Sequence, residues 1–194
     1  MTKVAAVVLA AGGSTRMGRP KQLLPWRGRS LLRHAAEAAL GAGCSPVVVV
    51  LGAAAERLRP ELAGTPVTVV ENPEWELGPG TSVRAGLSAI GPADAVVFLA
   101  CDQPRVDATH IGRLIAAHHA TSRPLAASGY GGTVGVPALF GRECFPALMD
   151  LPPAAGAKQL LTRHPELVAV APFPAGECDI DTPADYRQLV TGEP

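Results

Sequence analysis

The most chemically loaded stretch of the chain is "LAAGGSTRMGRPKQLLPW", residues 9–26. A short apolar run opens into paired glycines and a hydroxyl, then into three bases, Arg16, Arg19 and Lys21, with no acid among them. Solvated loops normally mix their charges, so this one reads as a receiver of an anion. Gly12 and Gly13 let backbone N–H groups approach phosphate oxygens, Ser14 adds a hydroxyl, and Arg16 and Lys21 bring charge from separate points. Gly13 and Gly18 have the Walker spacing, but Arg19 and Pro20 stand where that motif needs Lys and Ser or Thr. Pro20 lacks an N–H and disfavours helix at Arg19, so the loop is expected to run on in extended form. The glycines also miss the GxGxxG spacing of a dinucleotide site. What fits is a longer wrap around a triphosphate, with Arg19, Arg27 and Arg29 as solvated or supporting charges.

A triphosphate held this way calls for carboxylates at strand ends, where they can hold a divalent cation. Asp102 stands at the exit of "AVVFLA"; its plain alternative is a turn cap. In "DIDT", Asp179 and Asp181 alternate, so an extended chain puts both on one face with Ile180 towards the core. Either could complete a metal site, and Asp181 could equally cap a helix starting near Pro183. In "GPGTSVRAGL", residues 78–87, glycines and hydroxyls stand before a helix, a setting for contact with a base, ribose or phosphate or for an ordinary cap. His34, His110, His118, His119 and His164 fall in expected helices as surface or packing residues, with no HExxH pattern, and no GxSxG elbow is present.

These residues need a frame. Apolar runs rich in β-branched residues recur at 4–10, 46–52, 66–71, 95–100 and 167–173, as a parallel sheet covered on both faces requires. Between them lie helical patterns: one capped by Ser30, "AAAERLRPEL", "TSVRAGLSAI", one capped by Asp107, and segments at 142–150 and 156–164, with "PADYRQLV" closing the chain. Residues 124–140 suit a hairpin or an insertion over the site. The alternation predicts a single α/β domain over residues 1–194, Rossmann-like and three-layered with a mostly parallel sheet. Ligands in such a fold gather at the carboxyl ends of the strands.

Composition narrows the partners. The 194 residues are 47% hydrophobic, and seventeen Lys and Arg balance seventeen Asp and Glu, which argues against a nucleic-acid or anionic-membrane surface. Before Glu37 there are seven bases and no acid, so positive charge concentrates around the loop. The four cysteines, Cys44, Cys101, Cys144 and Cys178, form no CxxC pair and read as reduced, mostly buried residues. Residues 4–11 are too short to span a bilayer, and a cytoplasmic location is the natural expectation.

"LAAGGSTRMGRPKQLLPWRGRSLL" resembles the signature of the MobA-like nucleotidyltransferases, LAAGxSxRMGxxK followed by a hydrophobic run. "RPKQLLPW", "NPEWELGPGTSVRAGL", "CDQP", "GVPALF" and "DIDTPADY" extend the similarity over nearly the whole chain, towards the molybdenum cofactor cytidylyltransferase branch. That resemblance implies a nucleotide-diphospho-sugar transferase type of fold and an Mg²⁺-dependent transfer of CMP from CTP to molybdenum-charged molybdopterin, with pyrophosphate released. It assigns nucleotide binding to Leu9, Ala10, Ala11, Gly12, Gly13, Ser14, Arg16 and Lys21, and base and ribose recognition to Gly80, Thr81 and Ser82. It assigns catalysis to Arg16, Lys21 and Asp102, and metal binding to Asp102 and Asp181. A recipient molybdoenzyme or its chaperone is a further implied partner. The chain departs from the pattern at Val136, where a histidine is usual, and at Ala154 and Ala155, where Gly-Asp is common. Guanylyl transfer, transfer to a sugar or polyol phosphate, and a non-catalytic nucleotide-binding chaperone of the cofactor are the rival readings.

Overall fold

The structure, a computed structural model, describes residues 2–192. Its strands are β1 (Val4–Ala10), β2 (Pro25–Trp26), β3 (Arg29–Ser30), β4 (Val47–Leu51), β5 (Thr68–Glu71), β6 (Ala95–Ala100), β7 (Leu125–Tyr130), β8 (Thr133–Gly141) and β9 (Val168–Pro172). The α-helices are α1 (Leu31–Gly41), α2 (Ala55–Leu58), α3 (Pro79–Ala89), α4 (Ala108–Thr121), α5 (Phe145–Met149), α6 (Lys158–Arg163) and α7 (Pro183–Thr191). Seven strands form one sheet in the order β5-β4-β1-β6-β8-β7-β9. Only β8 runs against its neighbours, pairing antiparallel with β6 and β7, so the sheet is mostly parallel.

Strand period sorts β1 between two cores. Val4, Ala6, Val8 and Ala10 pack with Leu32 and Ala36 of α1 and Ile111 and Leu114 of α4. Ala5 and Val7 pack on the other face with Val83 and Leu87 of α3, Leu148 of α5 and Leu160 of α6. Both faces of the strand are therefore apolar, which is why the run carries no alternation. Gly86 lets α3 sit close: a Cβ there would lie 2.3 Å from Val7 Cγ1.

Ser30 and Asp107 cap α1 and α4 as expected, their side chains accepting from Arg33 N and His110 N. Residues 124–140 form the β7–β8 hairpin inside the sheet rather than a cover over the site. Its two-residue turn, Gly131–Gly132, has φ of +54° and +70°, the left-handed geometry of a type I′ turn. Three expectations need correcting. "AAAERLRPEL" gives a four-residue helix followed by a 3₁₀ turn at Arg59–Leu62, because Pro60 supplies no N–H. The helix expected over 142–150 likewise opens as a 3₁₀ turn, Arg142–Cys144. After an extended Pro20 (φ −57°, ψ 107°) the chain makes one 3₁₀ turn, Lys21–Leu23, rather than continuing straight.

A third, smaller core of Met17, Leu24, Leu31, Ile180 and Leu189 ties the residues after β1 to α7 and the segment before it. All four cysteines are free, Cys44 and Cys101 buried, Cys144 and Cys178 half-buried. Among the described residues no helix is long and apolar enough to cross a membrane.

Candidate active site

The loop after β1 emerges at the carboxyl edge of the sheet, beside the exit of β6 that carries Asp102. Among the described residues, the N–H groups of Gly12, Gly13, Ser14, Thr15 and Arg16 donate no hydrogen bond within the protein. Five successive free donors at a strand end are what an anion-binding loop requires. Ser14 holds φ at +53°, unusual for a residue with a Cβ. Its hydroxyl is engaged inside the loop, donating to Gln22 Oε1 at 3.1 Å and accepting from Lys21 N at 3.1 Å. Ser14 thus offers a ligand its backbone N–H, with the hydroxyl proton already used.

Four of the predicted side chains converge. Lys21 Nζ lies 2.5 Å from Asp102 Oδ2 and 2.8 Å from Asp181 Oδ1, and Arg16 Nη2 lies 2.9 Å from Asp181 Oδ2. The Lys21 and Asp102 side chains are 16% and 19% exposed, whereas Arg16 is 70% exposed and can swing. Burial favours the neutral form of Lys21, but the charge and hydrogen bond of Asp102, with those of Asp181, outweigh it and hold the ammonium above its ordinary range. The hydrogen bond from Lys21, against burial and with help from Arg16, keeps Asp181 below the usual carboxylate range.

The third core explains how Asp181 arrives. Ile180 is fully buried, and its N–H donates to Asp102 O at 2.9 Å, tying the "DIDT" segment to the β6 exit. The helix cap falls to Thr182, which forms a capping box with Asp185 at the start of α7 and leaves the Asp181 carboxylate for Lys21. Asp179 takes a different partner, Gln103 Nε2 at 3.0 Å. Burial, opposed by that hydrogen bond and reinforced by Asp102 and Asp181, raises its pKa.

Gly80, Thr81 and Ser82 lie inside the first turn of α3, not ahead of it, and all three are buried. Asn72 Nδ2 donates to Thr81 Oγ1 at 2.7 Å and to Ser82 Oγ at 3.0 Å, and Thr81 Oγ1 donates to Gly78 O at 2.7 Å. A Cβ at Gly80 would lie 2.3 Å from Pro152 O, so that glycine admits the 152–155 backbone. The turn joins the Gly-rich loop through Trp75, whose ring would lie 3.2 Å from a Cβ at Gly13. Asn72 and Gln22 carry structural weight that residue type alone did not signal; both are polar residues in apolar surroundings, 4% and 2% exposed.

A cationic loop, paired carboxylates and a mostly parallel sheet that presents both at one edge define an α/β fold of the nucleotide-diphospho-sugar transferase type. The chain belongs to the MobA-like NTP transferase domain family, whose model matches residues 6–168. It is similar to the nicotine blue oxidoreductase of Paenarthrobacter nicotinovorans, 42% identical over 116 residues, 59% of this chain and 57% of that one. The match thus spans little more than half of that relative's length. The purine catabolism protein PucB of Bacillus subtilis (strain 168) is 33% identical over 94% of both chains. The structure of Rv0371c from Mycobacterium tuberculosis H37Rv has a TM-score of 0.80 at 35% identity, covering 97% of this chain and 98% of that one. A complex of Rv0371C with manganese scores 0.76 at 32% identity, covering 99% and 100%.

Proposed function

We propose that the chain transfers a nucleoside monophosphate from an NTP, CTP in our reading, to a phosphorylated acceptor, molybdenum-charged molybdopterin, in the cytoplasm. The observation that carries this is the meeting of the loop's free N–H groups, Arg16 and Lys21 with Asp102 and Asp181 at one sheet edge. Family membership supports nucleotidyl transfer; the motifs running from "RPKQLLPW" to "DIDTPADY" support the cytidylyl and molybdopterin choice. One relative is named an oxidoreductase, but the long wrap of residues 12–21 suits a triphosphate better than a dinucleotide. We read the whole described chain as one catalytic domain.

In this mechanism an ionised oxygen of the acceptor phosphate attacks the α-phosphorus. A new phosphoanhydride forms, the α–β bond breaks, and pyrophosphate leaves with its electron pair. The acceptor is already an anion, so no general base is needed. The N–H groups of residues 12–16 hold the triphosphate, and Arg16 and Lys21 offset the charge that collects on pyrophosphate. Gly80, Thr81 and Ser82 would border the base and ribose, contributing backbone and shape because Asn72 occupies their hydroxyls.

The donor set fits a hard divalent cation, Mg²⁺ in our reading. Asp102 and Asp181 already share one cation, the Lys21 ammonium, and among the described residues no cluster of three or more His, Cys, Asp or Glu would close the coordination shell. Two carboxylates plus substrate phosphates is a common Mg²⁺ arrangement, and the ion would supply Lewis-acid charge stabilisation at the α-phosphate. The manganese complex of Rv0371C agrees with a divalent metal here.

Purified protein mixed with each NTP and candidate acceptor should release pyrophosphate with CTP and the molybdenum-loaded cofactor. Release with GTP alone would overturn the cytidylyl assignment. Asp102→Asn should lower turnover by at least about 10²-fold while nucleotide binding stays measurable. Nucleotide binding without turnover under any metal or acceptor would favour the chaperone.

A further inference from the structure

The buried amide of Gln22 organises the Gly-rich loop from beneath. Gln22 Nε2 donates to Ala10 O at 3.0 Å and to Gly12 O at 2.8 Å, while Gln22 Oε1 accepts from Ser14 Oγ at 3.1 Å. One side chain, 2% exposed, therefore satisfies three groups of the five-residue arc 10–14. Of the two carbonyls it engages, Ala10 O closes the strand, and Gly12 O shares its peptide unit with the N–H of Gly13, one of the five from Gly12 to Arg16 that have no partner among the described residues. With its carbonyl fixed inward by Gln22, the 12–13 peptide unit presents the Gly13 N–H to the ligand side, while Ala53 N, Met17 N and Gly18 N hold the carbonyls of Ala11, Ser14 and Thr15 around it. The same amide holds Ser14, whose φ of +53° needs outside support, and Ser14 Oγ passes the constraint on by accepting the N–H of Lys21. The strand end, the donor arc and the base of Lys21 thus hang on one neutral side chain.

We infer that Gln22 is a positioning residue for triphosphate binding, the internal brace that sets the phosphate-facing geometry of residues 12–16 and the root of Lys21. It touches no reacting atom. The inference rests on the nucleotidyl-transfer reading and deepens it. An apolar residue of similar length would fill the space equally well, so volume and hydrogen bonding separate cleanly. Gln22→Met keeps the first and removes the second, and Gln22→Glu keeps the length but, with at most one O–H, cannot donate to both carbonyls.

The test uses inorganic tripolyphosphate, which reports on the loop without base or ribose, with titration calorimetry as the readout. Gln22→Met and Gln22→Glu should each raise its Kd by on the order of tenfold or more, about the value of one or two lost hydrogen bonds. The KM for the NTP should rise in parallel while the KM for the acceptor stays fixed, a split that loosened packing alone would not produce. Wild-type affinity for tripolyphosphate in folded Gln22→Met overturns the brace. If that variant cannot be isolated folded, Ser14→Ala at a half-buried position reads the same network, with a weakening of at least about threefold expected from loss of its two part-buried bonds, to Gln22 and from Lys21 N. Unchanged affinity in that variant also overturns the inference. A wild-type chain that binds no tripolyphosphate would instead overturn the transferase reading.

Discussion

Lys21 is held by two carboxylates that come from distant parts of the chain, and its neighbours fix how the site responds to pH and mutation. On the proposed reading, replacing it with Met should lower turnover by about 10²-fold or more, read as pyrophosphate release, because a cation set to face the triphosphate is gone. The ion pair also has a pH signature. The folded pKa of Asp181 is depressed below its ordinary 3.8, so its contribution to stability is complete above that value and lost as pH falls through the lower folded value. The folded pKa of Lys21 is raised above 10.5, so its contribution is complete below that value and lost as pH climbs through the higher one. Urea denaturation against pH should show both losses in the wild type; in Lys21→Met the alkaline loss should vanish and the acid loss should shrink to what Arg16 sustains on Asp181. Arg16, Lys21 and Asp102 stood out in the sequence by their place after apolar strands, whereas Asp181 was set ahead of Asp179 by resemblance and is singled out here by its contacts with Lys21 and Arg16. Gln22 did not stand out, since a neutral amide beside a base carries no sign of which way it faces. The hydroxyls of Ser14 and Thr81 were read as ligand contacts, yet the fold gives them internal partners that the sequence does not show, because Gln22 and Asn72 reach them only in the folded chain.

Elements turn these side chains into a site, and their junctions are where substitution tells most. The first turn of α3 packs directly on the 152–155 backbone, so Gly80→Ala should destabilise the protein by about 1–3 kcal/mol, the usual cost of overpacking, measured by urea denaturation. Thr182→Ala removes the cap of α7 and should cost about 1 kcal/mol while also reducing turnover, since Asp181 immediately precedes that cap. The α4–β7 contact contains a buried titrating group. His110 Nε2 lies 2.7 Å from Ser128 Oγ, and Ser128 Oγ donates to Pro137 O at 2.6 Å, so His110 must be the donor of the first bond. Nδ1 is then a bare lone pair without a partner among the described residues, and the ring stacks on Phe173 with centroids 3.8 Å apart. Burial, with the positive charge of Arg113 and against the negative charge of Asp107, lowers the His110 pKa from 6.5 to about 4. The unfolded chain takes up the proton first, so stability should decline as pH falls from 6.5 towards 4, and His110→Gln should flatten the thermal-melting profile in that window. The helix pattern marked His110 as helical; its environment comes from β7 and the segment after β9, which periodicity cannot supply.

Across the whole molecule, the four parallel strands β5-β4-β1-β6 were legible as apolar runs separated by helical patterns. In the other half, β9 was legible as the run 167–173, but β7 and β8 were read less well. A glycine-rich hairpin can be recognised from its turn residues, but nothing in 124–140 says that β8 enters beside β6 and reverses the sheet there. The small β2–β3 hairpin went unread for the same reason: Arg27 and Gly28 form a turn at positive φ amid a run of bases. Asp181 lies beyond the stretch matched by the family model, which closes at residue 168, yet it reaches the loop that follows the first strand. A polypeptide still being synthesised therefore carries the Gly-rich loop long before its second carboxylate. If the proposed transfer is right, a product ended at residue 178 should release no pyrophosphate even where the sheet had formed, and translation through the "DIDT" segment would be the step that arms the protein.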